Sequence, residues 1–315
     1  MYPYHWESHH GNFGDDLNLW LWDFLLPGFR DVHPETVLVG VGTVLNPVLL
    51  PTDRKKLVIG SGYGYGEAPN ITTPDWDVRC VRGPLTAAKL GLPAGKGITD
   101  PAVMIADMPE FQNLSKIHKK TFIPHWESAE FGMWPAVCEP VGLTYLDPRG
   151  EAKAVIRHIA QSEFIVAESM HGAILADAFR VPWVAVTTSR AINNFKWSDW
   201  ASSVRARYEP RYVPVSTRAE AVAKKARFWG IRFDAQRPGA SSAPAPAHAG
   251  GDVMTRSAPS QTGLRGIAKQ ALAAPSILAL WQASRAEPHL SPDGALENCK
   301  QRFRDVLDSV RRDYF

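Results

Sequence analysis

The sequence predicts an α/β fold: two Rossmann-like domains followed by C-terminal helices. Three observations carry this reading. Short apolar runs rich in β-branched residues alternate with helical patterns over the first 230 residues, as expected of strands joined by right-handed crossovers. Several of those runs are continuously apolar, which suits strands of a parallel sheet buried on both faces. A polar and basic stretch at residues 109–120 (PEFQNLSKIHKK) then divides the strands into two sets.

In the first set the predicted strands are 2–6, 37–42, 57–60, 78–81 and 103–105. In the second they are 121–124, 143–146, 164–167 and 183–187. Helical patterns fall at 16–26, 84–90, 150–161, 172–180 and 219–228. Pro84 opens the second of these, at a position where its missing N–H costs nothing. The predicted domains are residues 1–115 and 116–233. Residues 234–263 are dominated by Ala, Pro, Ser and Gly and read as a flexible linker. Residues 264–315 form a helical segment: an apolar helix over 264–281 interrupted by Pro275, then a helix spacing Leu296, Cys299, Phe303, Val306, Leu307 and Val310 along one face. That last helix needs a surface to dock on, and the first domain is the expected one.

Composition limits the function classes. A length of 315 residues suits about two domains. With 45% hydrophobic and 21% charged residues the chain is an ordinary globular one. No apolar run approaches the ~20 residues of a membrane-spanning helix. The start of the chain lacks the basic and apolar regions of an export signal, and Cys80, Cys138 and Cys299 are widely spaced and odd in number. A cytoplasmic protein without a disulfide framework or a CxxC metal site is expected. Residues 1–200 hold 17 Lys/Arg against 22 Asp/Glu, whereas residues 201–315 hold 18 against 10. A basic C-terminal third either faces an anionic partner, such as the cytoplasmic membrane leaflet, or is a scattered solvated surface.

Ligands of open α/β sheets bind beyond the carboxyl ends of the strands. The first such segment holds Asn12, Gly14, Asp15 and Asp16. Either aspartate is a helix cap or a carboxylate facing a ligand. His5, His9 and His10 lack a second cluster to complete a metal site, so no metal is expected. The loop Gly60–Gly66 (GSGYGYG) places Ser61, Gly62 and Tyr63 where backbone N–H groups could approach an anion, or forms a tight turn beside a cleft. It fits neither a dinucleotide fingerprint nor a P-loop. Arg82 ends a strand, poised for a carboxylate or phosphate, or for a salt bridge. Glu168, Ser169 and His171 lie where an apolar strand passes into an apolar helix. A histidine there is tunable around neutral pH as a general acid, or is a hydrogen-bonded structural group. Arg190 and Lys196 add positive charge after the next strand, and His125 ends the first strand of the second set.

Taken together, NFGDDLN (12–18), GSGYGYG (60–66), VRGPLTA (81–87), ITDPAVM (98–104), IPHWES (123–128) and ESMHGAILADAFRVPWVAV (168–186) resemble the polysaccharide pyruvyl transferase family. The motifs occur in family order across residues 1–200. The resemblance implies a GT-B-like pair of domains facing across a cleft. It implies phosphoenolpyruvate as donor and a saccharide acceptor, lipid-linked, of exopolysaccharide assembly, with no further cofactor and no nucleic acid. It assigns His171 to protonation of the enol, Asp15 to the attacking hydroxyl and Arg82 to the donor, with Lys196 or Arg190 assisting. A nucleotide-sugar glycosyltransferase on the same fold, and a non-catalytic assembly module, are the alternatives.

Overall fold

A computed structural model describes residues 1–190, 192–233 and 271–315. The predicted linker and the first residues of the predicted helix over 264–281 lie outside the described residues. Two parallel sheets organise the chain. The first joins β1 (Tyr2–Pro3), β2 (Thr36–Val39), β3 (Lys55–Ile59) and β4 (Trp76–Cys80) in chain order. The second has five strands in the order β6-β5-β7-β8-β9, with β5 (Thr121–Ile123), β6 (Thr144–Tyr145), β7 (Ile165–Ala167), β8 (Trp183–Thr187) and β9 (Arg211–Tyr212). Every pairing within the two sheets is parallel. Strands β2, β5 and β7 are wholly buried, including Thr36 and Thr121 at the starts of β2 and β5, as suits strands of a parallel sheet covered on both faces. The second sheet changes direction between β5 and β7, and such a switch opens a crevice at the strand ends.

Three of the predicted elements change in kind or are broken up. Residues 103–105 are not a strand: they sit inside a 3₁₀ helix, Pro101–Asp107, started by Pro101 and capped by the Asp100 carboxylate on the Ala102 N–H. The predicted helix over 16–26 is broken into α1 (Phe13–Asp16), a 3₁₀ turn and α2 (Leu21–Leu25). The buried Asn18 side chain bonds both the backbone of Val41 and the indole of Trp22 in this region. The helix predicted over 219–228 stops at Ala223 (α9, Arg218–Ala223), and Lys225 takes a positive φ of 50°. The chain then turns into a hairpin of β10 (Arg227–Phe228) and β11 (Ile231–Arg232).

The largest apolar core runs through both halves of the chain. It joins Phe13, Leu57 and Val103 to Ile123, Ile174 and Trp200, and to Phe303 and Leu307 of the C-terminal helix. That helix, Asp293–Tyr314, returns to the first sheet as its apolar spacing predicts. Lys300 and Arg304 pair with Asp107, and the Tyr314 hydroxyl donates to Asp77. Residues 271–272 are helical, Ala273 breaks the run, and the helix resumes over Ala274–Ala283 with Pro275 in its first turn, so the expected interruption at Pro275 is seen. No helix among the described residues is long and apolar enough to cross a membrane.

Candidate active site

A cavity of about 260 Å³ opens where the loops of the two sheets meet. Each lining residue follows the carboxyl end of a strand. Trp6, Asn12 and Asp15 follow β1, Gly42 and Thr43 follow β2, and Tyr65 follows β3. From the second sheet come His125 and Trp126 after β5, Ser169 to His171 after β7, and Lys196 after β8.

His171 is placed by its helix. α7 (Met170–Ala178) starts directly after β7, and Ser169 caps it by accepting the N–H of Gly172. The imidazole is buried and lies over Gly14, where a Cβ would stand 2.0 Å from Nδ1. Its Nε2 has no hydrogen-bond partner and faces the Asp100 carboxylate at 3.8 Å. Burial, with the positive charges of Lys196 and Arg82 nearby, lowers its pKa to about 3, so the unliganded imidazole is neutral. Asp100 is fully buried. One oxygen caps the 3₁₀ helix, and the other is unpartnered. Burial raises its pKa to about 6.

Asp15 is on α1 and accepts a hydrogen bond from Asn12, the residue that caps the same helix. Burial raises its pKa to about 6, against the pull of Lys196 and Asn12. Lys196 sits on α8 (Asn194–Ser203), capped by Asn193. Its ammonium lies 5.9 Å from the Tyr65 ring centre and makes no ion pair among the described residues. Its field acts on Asp15, His125 and His171 alike. His125 caps α4 (Trp126–Phe131), and burial lowers its pKa.

Other predicted residues stand behind the cavity wall. Arg82 is fully buried, with Nε on Asp199 at 3.1 Å, Nη1 on Thr43 Oγ1 at 2.7 Å and Nη2 on the Tyr63 carbonyl at 2.9 Å. Its fork is therefore filled by the protein, and only Thr43 connects it to the cavity. Gly62 makes room for that guanidinium: a Cβ there would lie 2.2 Å from Cζ. The N–H groups of Gly62 and Tyr63 go to Gly42 O and Thr86 Oγ1, and the Ser61 hydroxyl goes to Gly42 O. These donors of the loop are therefore taken up within the protein beside Arg82, and only Tyr65 of its residues lines the cavity.

Glu168 is likewise buried, bound by Lys224, Thr188 and the His125 N–H. Burial opposes its ionisation, but Lys224 prevails and holds its pKa below the usual carboxylate range. Arg190 is exposed and does not line the cavity. The histidines of the first segment do not converge: His5 bonds Asp16, and His10 stacks on Trp126. Trp6, Thr43, Tyr65, Asp100 and Trp126 are functional candidates not singled out from sequence. Asp100 had a visible signal, an Asp-Pro pair opening a helix within ITDPAVM.

The arrangement combines a neutral histidine, two carboxyls with pKa values near neutrality, an unpaired lysine and an aromatic mouth. It can bind a small anion and move a proton to and from it. A family profile described as polysaccharide pyruvyl transferase matches residues 12–190. The chain is also 66% identical, over the full length of both proteins, to the succinoglycan biosynthesis protein ExoV of Rhizobium meliloti (strain 1021). No solved structure matches the chain. The matched segment contains His125 and His171, the carboxyls of Asp15 and Asp100 and the caps Asn12 and Ser169, and the chain belongs to the polysaccharide pyruvyl transferase family, a family of transferases.

Proposed function

We propose that the protein transfers the pyruvyl group of phosphoenolpyruvate to two hydroxyls of a saccharide, forming a pyruvate ketal and releasing inorganic phosphate. The acceptor is a lipid-linked intermediate of a succinoglycan-type exopolysaccharide, met at the cytoplasmic face of the membrane. The identity to a relative named for succinoglycan biosynthesis supports that acceptor class. The two sheets act as a GT-B-like pair of domains with the site at their junction.

One observation carries the donor assignment. The cavity sets an unpaired lysine beside a neutral histidine and a protonatable carboxyl, in a space suited to a small ligand. Phosphoenolpyruvate carries a carboxylate and a phosphate, and it reacts only after its methylene carbon takes a proton. Lys196 attracts the anion. The bound negative charge raises the His171 pKa toward neutrality. Protonated His171 gives its proton to the methylene, and the Asp100 carboxylate beside Nε2 stabilises the imidazolium. The adjacent carbon becomes oxocarbenium-like, and the first hydroxyl attacks it as Asp15 accepts the hydroxyl proton. Phosphate then leaves with the C–O bonding pair, and the second hydroxyl takes its place. One hydroxyl proton replaces the proton now in the methyl group, and the other departs with phosphate. Arg82 acts as a positioning residue through Thr43. Trp6, Tyr65 and Trp126 offer apolar faces to the sugar rings.

Direct binding and phosphate release test this reading. Phosphoenolpyruvate should bind the wild-type protein, and Lys196→Ala should weaken that binding by about tenfold. His171→Ala should retain binding and lose phosphate release by about 10²–10⁴-fold, the usual scale of general acid catalysis. Preferential binding of a nucleotide sugar would point instead to a glycosyltransferase. Phosphoenolpyruvate binding with no phosphate release in the presence of acceptor would reduce the protein to a binding module.

A further inference from the structure

The β10–β11 hairpin lies far along the chain from the cavity residues and plays no part in the chemistry above. Its sequence is Arg227-Phe228-Trp229-Gly230-Ile231-Arg232. Phe228 pairs with Ile231, so the two-residue tip is Trp229-Gly230, with φ of 52° and 76°. Turns of this kind favour Asn-Gly or Gly-Gly. A tryptophan is one of the residues least suited to the left-handed region. Turn geometry therefore gives no reason for the aromatic residue at the tip.

The apolar side chains here are open to solvent. Trp229 is 56% exposed, Ile231 58% and the neighbouring Tyr212 56%. Trp229 and Tyr212 border a second cavity, of about 350 Å³, whose walls include Val215, Phe228, Leu272 and Pro275. The exposed charges of the hairpin itself, Arg227 and Arg232, share one sign. Arg227 and Arg232 are direct cross-strand partners, a like-charge pairing that is unfavourable on its own. Lys225, two residues before the hairpin, and Arg211, next to Tyr212 on β9, are exposed as well, and none of these four cations has an ion-pair partner among the described residues. The acidic Glu220 beside them in sequence is buried and committed to Trp134 and Ser216.

An exposed aromatic tip flanked by unpaired arginines matches a bilayer interface, where indole rings sit at headgroup level and cations meet anionic lipid. We propose that the β10–β11 hairpin is a membrane-docking element that inserts Trp229 and Ile231 into the interface of an anionic lipid leaflet, with Arg227, Arg232 and Lys225 on the headgroup phosphates. The unfavourable Arg227–Arg232 pairing is relieved by lipid phosphate, and the docking is independent of the donor chemistry proposed for the cavity.

Full-length protein is sedimented with vesicles of phosphatidylcholine alone and of phosphatidylcholine with phosphatidylglycerol at 3:1. Binding is expected to the anionic vesicles and to weaken with salt. Arg227→Glu with Arg232→Glu should reduce it by at least about tenfold. Trp229→Ser should reduce it while leaving the salt dependence in place. An environment-sensitive dye on Ile231→Cys gives an independent readout, because the three native cysteines are buried. Its emission should shift to the blue on anionic vesicles. Equal binding to both vesicle types would overturn the proposal. So would variants that change only the oligomeric state by size exclusion, or equally tight binding of soluble glycerophosphate. Phosphate release with a water-soluble acceptor should be unchanged in the variants, which keeps a failure of docking separate from a failure of the pyruvyl transferase reading.

Discussion

Replacing Asp100 with asparagine should stabilise the protein at neutral pH and impair its chemistry. The carboxyl is fully buried, with one oxygen capping Ala102 and the other unpartnered 3.8 Å from His171 Nε2. Its pKa is raised from 3.8 to about 6, mainly by burial. A folded-state pKa above the unfolded value means that the folded protein binds the proton more tightly. The penalty is therefore present above about pH 6 and fades as pH falls toward 4. Two pKa units correspond to roughly 3 kcal/mol. Asparagine keeps the capping oxygen and does not titrate. The stability of Asp100→Asn relative to wild type should thus rise by up to about 3 kcal/mol between pH 4 and 7, as measured by urea unfolding across that range. Above about pH 6, where the wild-type carboxyl is ionised, phosphate release by the variant should fall at least tenfold below wild type, because an amide carries no charge to stabilise a protonated imidazole. A stability difference that does not change with pH, or a variant that loses ground to wild type toward neutrality, would refute the reasoning.

Two further substitutions probe the architecture. In Gly14→Ala the new Cβ would meet His171 Nδ1 at 2.0 Å. Overpacking of this kind costs about 1–3 kcal/mol, and turnover should fall more than phosphoenolpyruvate affinity, as steady-state kinetics beside binding titrations will show. In Arg82→Ala the Asp199 carboxylate loses its buried partner, so thermal or urea unfolding should reveal a loss of about 3–5 kcal/mol. Adding Asp199→Ala should recover part of that loss in a double-mutant cycle.

Much of the fold was legible because strands buried on both faces leave an unbroken apolar signature. Trp183–Thr187 was read with its observed ends. The run at 103–105 carried the same signature but belongs to a 3₁₀ helix, because Asp100 and Pro101 set the backbone before side-chain pattern could. Within the site, residues that cap the helices at strand ends were readable, since the caps fix where the cavity lies. Asn12, Ser169 and His125 are of this kind. Arg82 admits two readings, because an arginine at a strand end looks alike whether it faces an anion or an aspartate. Its partner, Asp199, is 117 positions away and gives no local signal. The same holds for Glu168 and Lys224, 56 positions apart.

The return of the last helix to the first sheet sets a timetable for biosynthesis. Asp77 on β4 leaves the ribosome 237 residues before Tyr314, which bonds it. At ordinary rates of translation that interval is roughly 10–50 s. Until it ends, the apolar surface that later receives Phe303, Leu307 and Val310 stays uncovered. The opening segment of this polypeptide thus waits for its closing one, and a nascent chain stalled or trimmed near its end would present that bare flank to chaperones and proteases.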